Sequence, residues 1–186
     1  MGANEKFELR GVNHIALVSS DMARTVRFYR DVLGMPLVKT IDLPRGMGQH
    51  FFFDIGNDDC LAFFWFNNAG PAQPGVSNSG ALPGQGDIVS AHASMNHLAF
   101  DVPLEKFEEY RQKLIDAGVE VSMVLDHDDS PSQVAEVFHP GVFVRSFYFF
   151  DPDGVMLEFA SWTREMGRAD DVTAQPWNAA GEPVEV

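Results

Sequence analysis

Three ionisable side chains stand where chemistry rather than packing explains them. Glu158 lies between Leu157 and Phe159 in the run Val155 to Ala160, and an acid in so apolar a strand must be paired, protonated or bound to a cation. His14 sits in Val12-Asn13-His14-Ile15-Ala16-Leu17, and the pattern returns 83 positions later as Met95-Asn96-His97-Leu98-Ala99-Phe100. Two imidazoles and one carboxylate suit non-haem Fe(II), and Mn(II), Co(II), Ni(II) or Zn(II) can occupy the same donors. Alanine follows each of the three two places on, at Ala16, Ala99 and Ala160, leaving volume above an ion on the same strand face. Each residue also has an ordinary alternative. Alternation allows Glu158 a solvated outer face, and a strand histidine by itself is commonly a half-buried residue without a ligand.

The elements that must position these residues read as a duplication. In the first unit a strand at 12–18 precedes a helix in which Met22, Val26, Tyr29 and Leu33 recur at helical spacing, with Ser19, Ser20 and Asp21 as candidate caps and Gly34 as its end. Strand-like runs follow at 37–43, 49–55 and 60–66. The second unit repeats this order, with a strand at 95–100, a helix at 104–117 ending at Gly118, and strands at 119–125, 143–150 and 155–161. The last two strands flank Asp151-Pro152-Asp153-Gly154, a turn in which Pro presets one dihedral and Gly supplies the positive one. Each β-α-β-β-β unit leaves a half-covered sheet that needs its twin.

The expected division is 10–66 and 95–162 for the two modules, 67–94 for a Gly/Pro/Ser-rich connection, and 163–186 for an acidic tail. Composition reads the connection as a flexible linker slightly before a lid. Trp162 and Trp177 are candidate anchors for the tail.

A net charge of -14 disfavours nucleic-acid phosphates and anionic membrane surfaces as partners. Cys60 is the only cysteine, so no intrachain disulfide forms. The N-terminal residues lack a signal peptide's apolar core, and no stretch is apolar enough to span a bilayer, so the expectation is a soluble, cytoplasmic protein.

The duplicated units, the N-H-[IL]-A strand starts, the helix ending F-Y-R-D-V-L-G-M and the late F-x-D-P-D-G-x-x-L-E resemble the vicinal oxygen chelate superfamily of glyoxalases, extradiol dioxygenases and bleomycin- or fosfomycin-resistance proteins. The resemblance covers about residues 10 to 162 and implies an α+β fold of two βαβββ modules, packed as pseudo-symmetric half-barrels around a metal site. Glyoxalase-like members resemble four-ligand sites, and aligning Gly56 to Phe63 with Asp151 to Glu158 sets Phe63 where a fourth ligand would stand. The remaining set of His14, His97 and Glu158 resembles that of extradiol dioxygenases and fosfomycin-resistance enzymes.

His139 and Tyr148, in the context H-x(6)-S-F-Y, resemble the dioxygenase residues that contact substrate. The resemblance thus implies an Fe(II)-dependent, ring-cleaving dioxygenase acting on a small catechol-like aromatic and dioxygen. In it Tyr148 bonds a substrate oxygen, His139 orients the substrate, and His92 is the nearest candidate for the family's further acid–base histidine, at a closer spacing. Phe52, Phe64, Phe147 and Phe149 include candidates for the pocket lining. A homodimer is expected from the same resemblance. Two other classes fit the pattern: a different metal enzyme (lyase, isomerase, epimerase or thiol transferase), and a metal-free binding protein of the bleomycin-resistance kind. Few basic side chains lie near the motifs, which disfavours a phosphonate substrate.

Overall fold

The computed structural model describes residues 12–92, 94–166, 176 and 180. The N-terminus read for a signal peptide, the acidic pair Asp170-Asp171 and the proposed anchor Trp177 lie outside them. The first module contains β1 (His14–Val18), α1 (Met22–Val26), β2 (Leu37–Asp42), β3 (Gly48–Gly56) and β4 (Asp59–Phe66). The second contains β5 (Leu98–Asp101), α2 (Phe107–Asp116), β6 (Leu125–His127), β7 (Val144–Phe150) and β8 (Met156–Trp162). Their sheets have matching orders, β1-β4-β3-β2 and β5-β8-β7-β6, each with one parallel pair beside the crossover helix. This is the α+β, two-module architecture the duplication predicts.

Side-chain alternation decides what each sheet buries. Leu61 and Phe63 on β4 and Leu157 and Phe159 on β8 turn toward the helices and join Tyr29, Phe53, Phe107, Phe147 and Phe149 in the main core. Met156, Glu158 and Ala160 turn to the opposite face, as the pattern predicts. Glu158 is nevertheless only 5% exposed, so the solvated alternative is excluded.

Asp21 caps α1 by accepting from the Arg24 amide at 3.0 Å. The helix then widens into a π-turn over Arg27–Val32, where the Leu33 amide donates to the Phe28 carbonyl at 3.0 Å. Gly34, at φ +73°, ends it as expected, and the Met35 amide returns to the Tyr29 carbonyl at 2.9 Å.

The Asp151-to-Gly154 turn does more than reverse the chain. Asp151 Oδ1 accepts from the amides of Asp153 and Val155, both at 2.8 Å, while Oδ2 accepts from the buried Tyr29 hydroxyl at 3.0 Å. Asp153 accepts from Arg24 Nη2 at 2.7 Å, from the Ser20 amide at 3.0 Å and from the Ser20 hydroxyl. The start of α1 is thereby docked on the β7-β8 hairpin, joining the modules at a polar junction. Burial pushes both the Tyr29 hydroxyl and the Asp151 carboxyl above their ordinary ranges.

Three expectations need correction. The strand placed at 119–125 begins only at Leu125; before it there is a single bridge, Val121 to Phe149, because the Ser122 hydroxyl takes the Tyr148 amide that a ladder would otherwise use. The connection is not a free linker. Asn78, Ser79 and Leu82 are buried, and Asn78 Nδ2 donates to the Gly154 carbonyl at 2.6 Å. Trp162 is 59% exposed at the end of β8, too open to act as an anchor. Among the described residues no helix is long and apolar enough to cross a membrane.

Candidate metal centre

Glu158 lies directly opposite Tyr148 on β7 and Ala99 on β5. His97, the residue before β5, brings Nε2 to 3.1 Å from Glu158 Oε2. Its other ring nitrogen, Nδ1, is 3.0 Å from Asn96 Oδ1. The orientation of the Asn96 amide is fixed, since its Nδ2 donates to the Ile88 carbonyl at 2.8 Å and to Ser90 Oγ at 3.1 Å. The amide oxygen can only accept, so Nδ1 carries a proton and Nε2 is the nitrogen that faces the carboxylate. Two electron-rich atoms so placed attract only through a second proton on the ring or a cation between them. The separation suits a cation, because donors about 2.1 Å from an ion at a right angle are about 3.0 Å apart.

The asparagine of the repeated N-H pair thus has a task that the pattern alone left unread. In the first module Asn13 Oδ1 is 2.7 Å from His14 Nδ1 and prepares the same tautomer. Further support comes from β7. Burial pushes the Glu158 carboxyl up, but hydrogen bonds from His97, Ser146 and Tyr148 outweigh it and leave the group below its ordinary range. Burial, reinforced by the Glu158 charge, pushes the Tyr148 phenol up to about 12. Ser146 Oγ is in turn 3.4 Å from His127 Nε2. Ser146 entered the sequence reading only as part of the H-x(6)-S-F-Y context, and His127, beyond the strand expected at 119–125, carried no signal.

His14 does not join the pair. It is exposed on β1, edge-on to Phe52 with ring centres 5.7 Å apart, and among the described residues no group of three His, Cys, Asp or Glu side chains is placed to hold a metal ion. The meeting of His14, His97 and Glu158 expected within one chain is therefore corrected to a meeting of two. The reason lies in the topology: β1 and β5 are the outermost strands of separate sheets, and neither sheet is hydrogen-bonded to the other. One chain offers two of the three donors.

The remaining candidates divide. Tyr148 stands at the pair, its ring edge-on to His97 at 5.6 Å. His139 is committed elsewhere: Nε2 lies 3.0 Å from Asp128 Oδ2, and Nδ1 accepts from the Gly141 amide at 3.0 Å. With both nitrogens engaged in its own loop it has none left to orient a substrate, contrary to expectation. His92 is exposed in a turn of the connection and takes no part in the His97–Glu158 contact.

The counterpart of Glu158 also moves by one residue. Ala16 pairs with Ala62 as Ala99 pairs with Glu158, so Ala62 is the equivalent position, and Phe63 points into the core. Either way the first module supplies no second carboxylate. Phe52 and Phe64 stay on the site face, where His50 stacks on Phe64 at 3.6 Å, whereas Phe147 and Phe149 belong to the core. A cavity of about 640 Å3 opens between Leu17, Trp65, Pro71, Asn78 and Asp153, with Met95 but neither His97 nor Glu158 in its lining.

The sequence profile described as Glyoxalase/Bleomycin resistance protein/Dioxygenase superfamily matches residues 11–159. The chain is 25% identical over 156 residues to the metallothiol transferase FosB of Shouchella clausii (strain KSM-K16), covering 83% of this chain and 82% of that protein. It is 32% identical over 76 residues to the candidate ring-cleaving dioxygenase MhqE of Bacillus subtilis (strain 168), covering 39% of this chain and 25% of that one. The crystal structure of a glyoxalase/dioxygenase from Nostoc punctiforme superposes with a TM-score of 0.58 at 21% identity, over 88% of this chain and 99% of that one.

Proposed function

This chain belongs to the glyoxalase/bleomycin resistance protein/dioxygenase superfamily, and from that premise we propose a divalent-metal enzyme, a ring-cleaving dioxygenase of the extradiol type that uses Fe(II) on a catechol-like substrate. The observation that carries the reading is the 3.1 Å pair of His97 Nε2 and Glu158 Oε2, each steadied from behind, with His97 the more exposed of the two. His97 and Glu158 would hold the ion, with His14 as the third donor. When bound, such an ion acidifies an oxygen ligand and holds a bidentate substrate in place.

The protein's own groups supply the rest. The Tyr148 phenol, pushed up to about 12, stays protonated at neutral pH and donates one hydrogen bond, to Glu158 or to a substrate oxygen beside it. Leu82, Met156, Leu125 and Phe150 form an apolar wall around Tyr148 that keeps water from a bound ring. The site face of the second sheet carries no arginine: Arg145 turns to the other side, over the Phe107 ring at 5.4 Å. That favours a neutral aromatic over a phosphonate.

We assign the missing His14 to a second copy of the chain. Strands β1 and β5 each lie at an edge of their sheet, with no strand paired to the outer side among the described residues, and His14 and His97 lie at those edges. A homodimer joined along them brings the His14 of one copy toward the His97 and Glu158 of the other.

Two measurements test this. Iron content after anaerobic purification is expected near one per chain for the native protein and near zero for Glu158→Ala. Equal iron in both would remove the pair as ligands. Co-expressing His14→Ala with Glu158→Ala should restore metal binding to about half of the mixed dimers' sites, because one of their two sites then receives intact donors from both chains. No restoration would overturn the shared site. The FosB match, which reaches over twice as many residues as the MhqE match, favours metal-dependent thiol transfer as the second reading. Oxygen uptake with a catechol panel separates them.

A further inference from the structure

The connection between the modules makes two contacts with the metal centre that its composition did not announce. Leu82, 3% exposed, packs with Tyr148 and Met156 in a small cluster distinct from the main core. Six residues on, the Ile88 carbonyl is a node: it accepts from Ser79 Oγ at 3.3 Å and from Asn96 Nδ2 at 2.8 Å. Ser90 Oγ gives Asn96 a second acceptor at 3.1 Å. The other end of that amide holds His97 Nδ1. The segment is itself pinned to the hairpin through Asn78 Nδ2, which donates to the Gly154 carbonyl at 2.6 Å, while the one Ser79 hydroxyl proton is shared between the Ile88 and Ala81 carbonyls. A continuous path of direct contacts runs from the hairpin, through the connection, to the ring that faces Glu158. For His14 the corresponding Asn13 contact is present, but no segment is bonded behind it among the contacts of the described residues.

We infer that residues 78–90 are a positioning arm of the metal centre, orienting His97 through Asn96 and Tyr148 through Leu82, so that the arm and a bound cation order one another. The inference rests on the metal-binding reading above. Its physical content is linkage: if the docked arm favours the His97 orientation that binds a cation, a bound cation must favour the docked arm by the same factor. Asn96 and Leu82 act on His97 and Tyr148 and are positioning residues. Buttresses behind a metal-binding histidine commonly change affinity 10- to 100-fold when removed.

The experiment uses the full chain, with Co(II) as the probe. Co(II) affinity is measured by titration calorimetry, and amide hydrogen exchange across 78–90 is followed with and without Co(II). In the native protein Co(II) is expected to slow exchange in 78–90 at least fivefold, with no equal change in the exposed β2. Asn96→Ala should weaken Co(II) at least tenfold. Asn96→Asp keeps an acceptor for His97 Nδ1 but loses both donations to the arm. It should still bind Co(II) while the cation no longer slows exchange in 78–90, a dissociation that a merely destabilised fold would not give. Leu82→Ala should halve the protection or more and weaken Co(II) by the corresponding factor of about two or more. Binding of Co(II) by the native chain without slower exchange in 78–90 overturns the arm alone. No binding of Co(II) overturns the metal-centre reading, and the arm with it.

Discussion

Glu158 is the residue on which the chemistry turns, and its surroundings predict how it behaves without a metal. Its carboxyl is held below the ordinary range in the folded chain, so ionised Glu158 contributes stability above the unfolded pKa of about 4.3 and loses it as pH falls through the lower folded value. In chelator-treated protein, the difference in thermal stability between the native chain and Glu158→Gln should be present at pH 6 and shrink below about pH 4. A difference that grows toward acid would contradict the hydrogen bonds assigned to it. Tyr148→Phe removes a donor without removing a ligand. It is expected to lower kcat with catechol by about 10²-fold while changing Co(II) affinity by less than tenfold. His139→Ala, by contrast, should lower the melting temperature through the lost Asp128 contact and leave kcat unchanged.

The contrast between Glu158 and His139 also shows what one-dimensional reading can reach. A carboxylate inside an apolar strand stands out because alternation gives each neighbour a face, and the second N-H repeat points to its partner. His139 and Asp128 are eleven positions apart in a stretch with no period, so nothing local reveals that they pair. The register error at Phe63 has the same origin. A shift of one residue along a strand exchanges its two faces, and loops of unequal length conceal the shift until the ladder pairs are known.

Among the elements, the β7-β8 hairpin has the widest reach. Its turn was legible as a turn, from Pro and Gly, but its role as a dock for α1 was not, because Tyr29 and Asp151 are 122 positions apart. Tyr29→Phe should cost about 1 kcal/mol, one hydrogen bond whose loss leaves Asp151 with its two backbone donors. Asp151→Ala should cost more, since it removes the acceptor of those amides and strands the Tyr29 hydroxyl in the core. In urea melts the double variant should lose less than the sum of the two. Additivity would mean that the hydroxyl and carboxylate are not coupled. The connection escaped for a different reason: one leucine and a few small polar residues among glycines and prolines carry no pattern, although Leu82, Asn78 and the Ile88 carbonyl together fix where the segment lies.

At the scale of the whole molecule, the two-module fold could be read in advance and the assembly of the site could not. The duplication shows in the repeated strand start, the matched helix-ending glycines and the equal count of strands, all of which are local signals. Which copy's β1 meets which copy's β5 is a property of outer edges, and edges have no signature in residue order. The proposed dimer predicts a sedimenting species of twice 20.6 kDa at micromolar concentration. A species of 20.6 kDa that still binds one Co(II) per chain would place the third donor elsewhere.

The two outermost strands have one more consequence, for handling the protein rather than for its reaction. Among the described residues a lone chain leaves the outer sides of β1 and β5 without a paired strand, and unpaired strand edges recruit other strands. Dilution should thus be harmful in a way that concentration is not: below the dissociation constant, losses to vessel walls and to fibrillar by-products should rise. A proline at an outward-pointing amide of β5 should curb them, at the expense of the proposed dimer pairing.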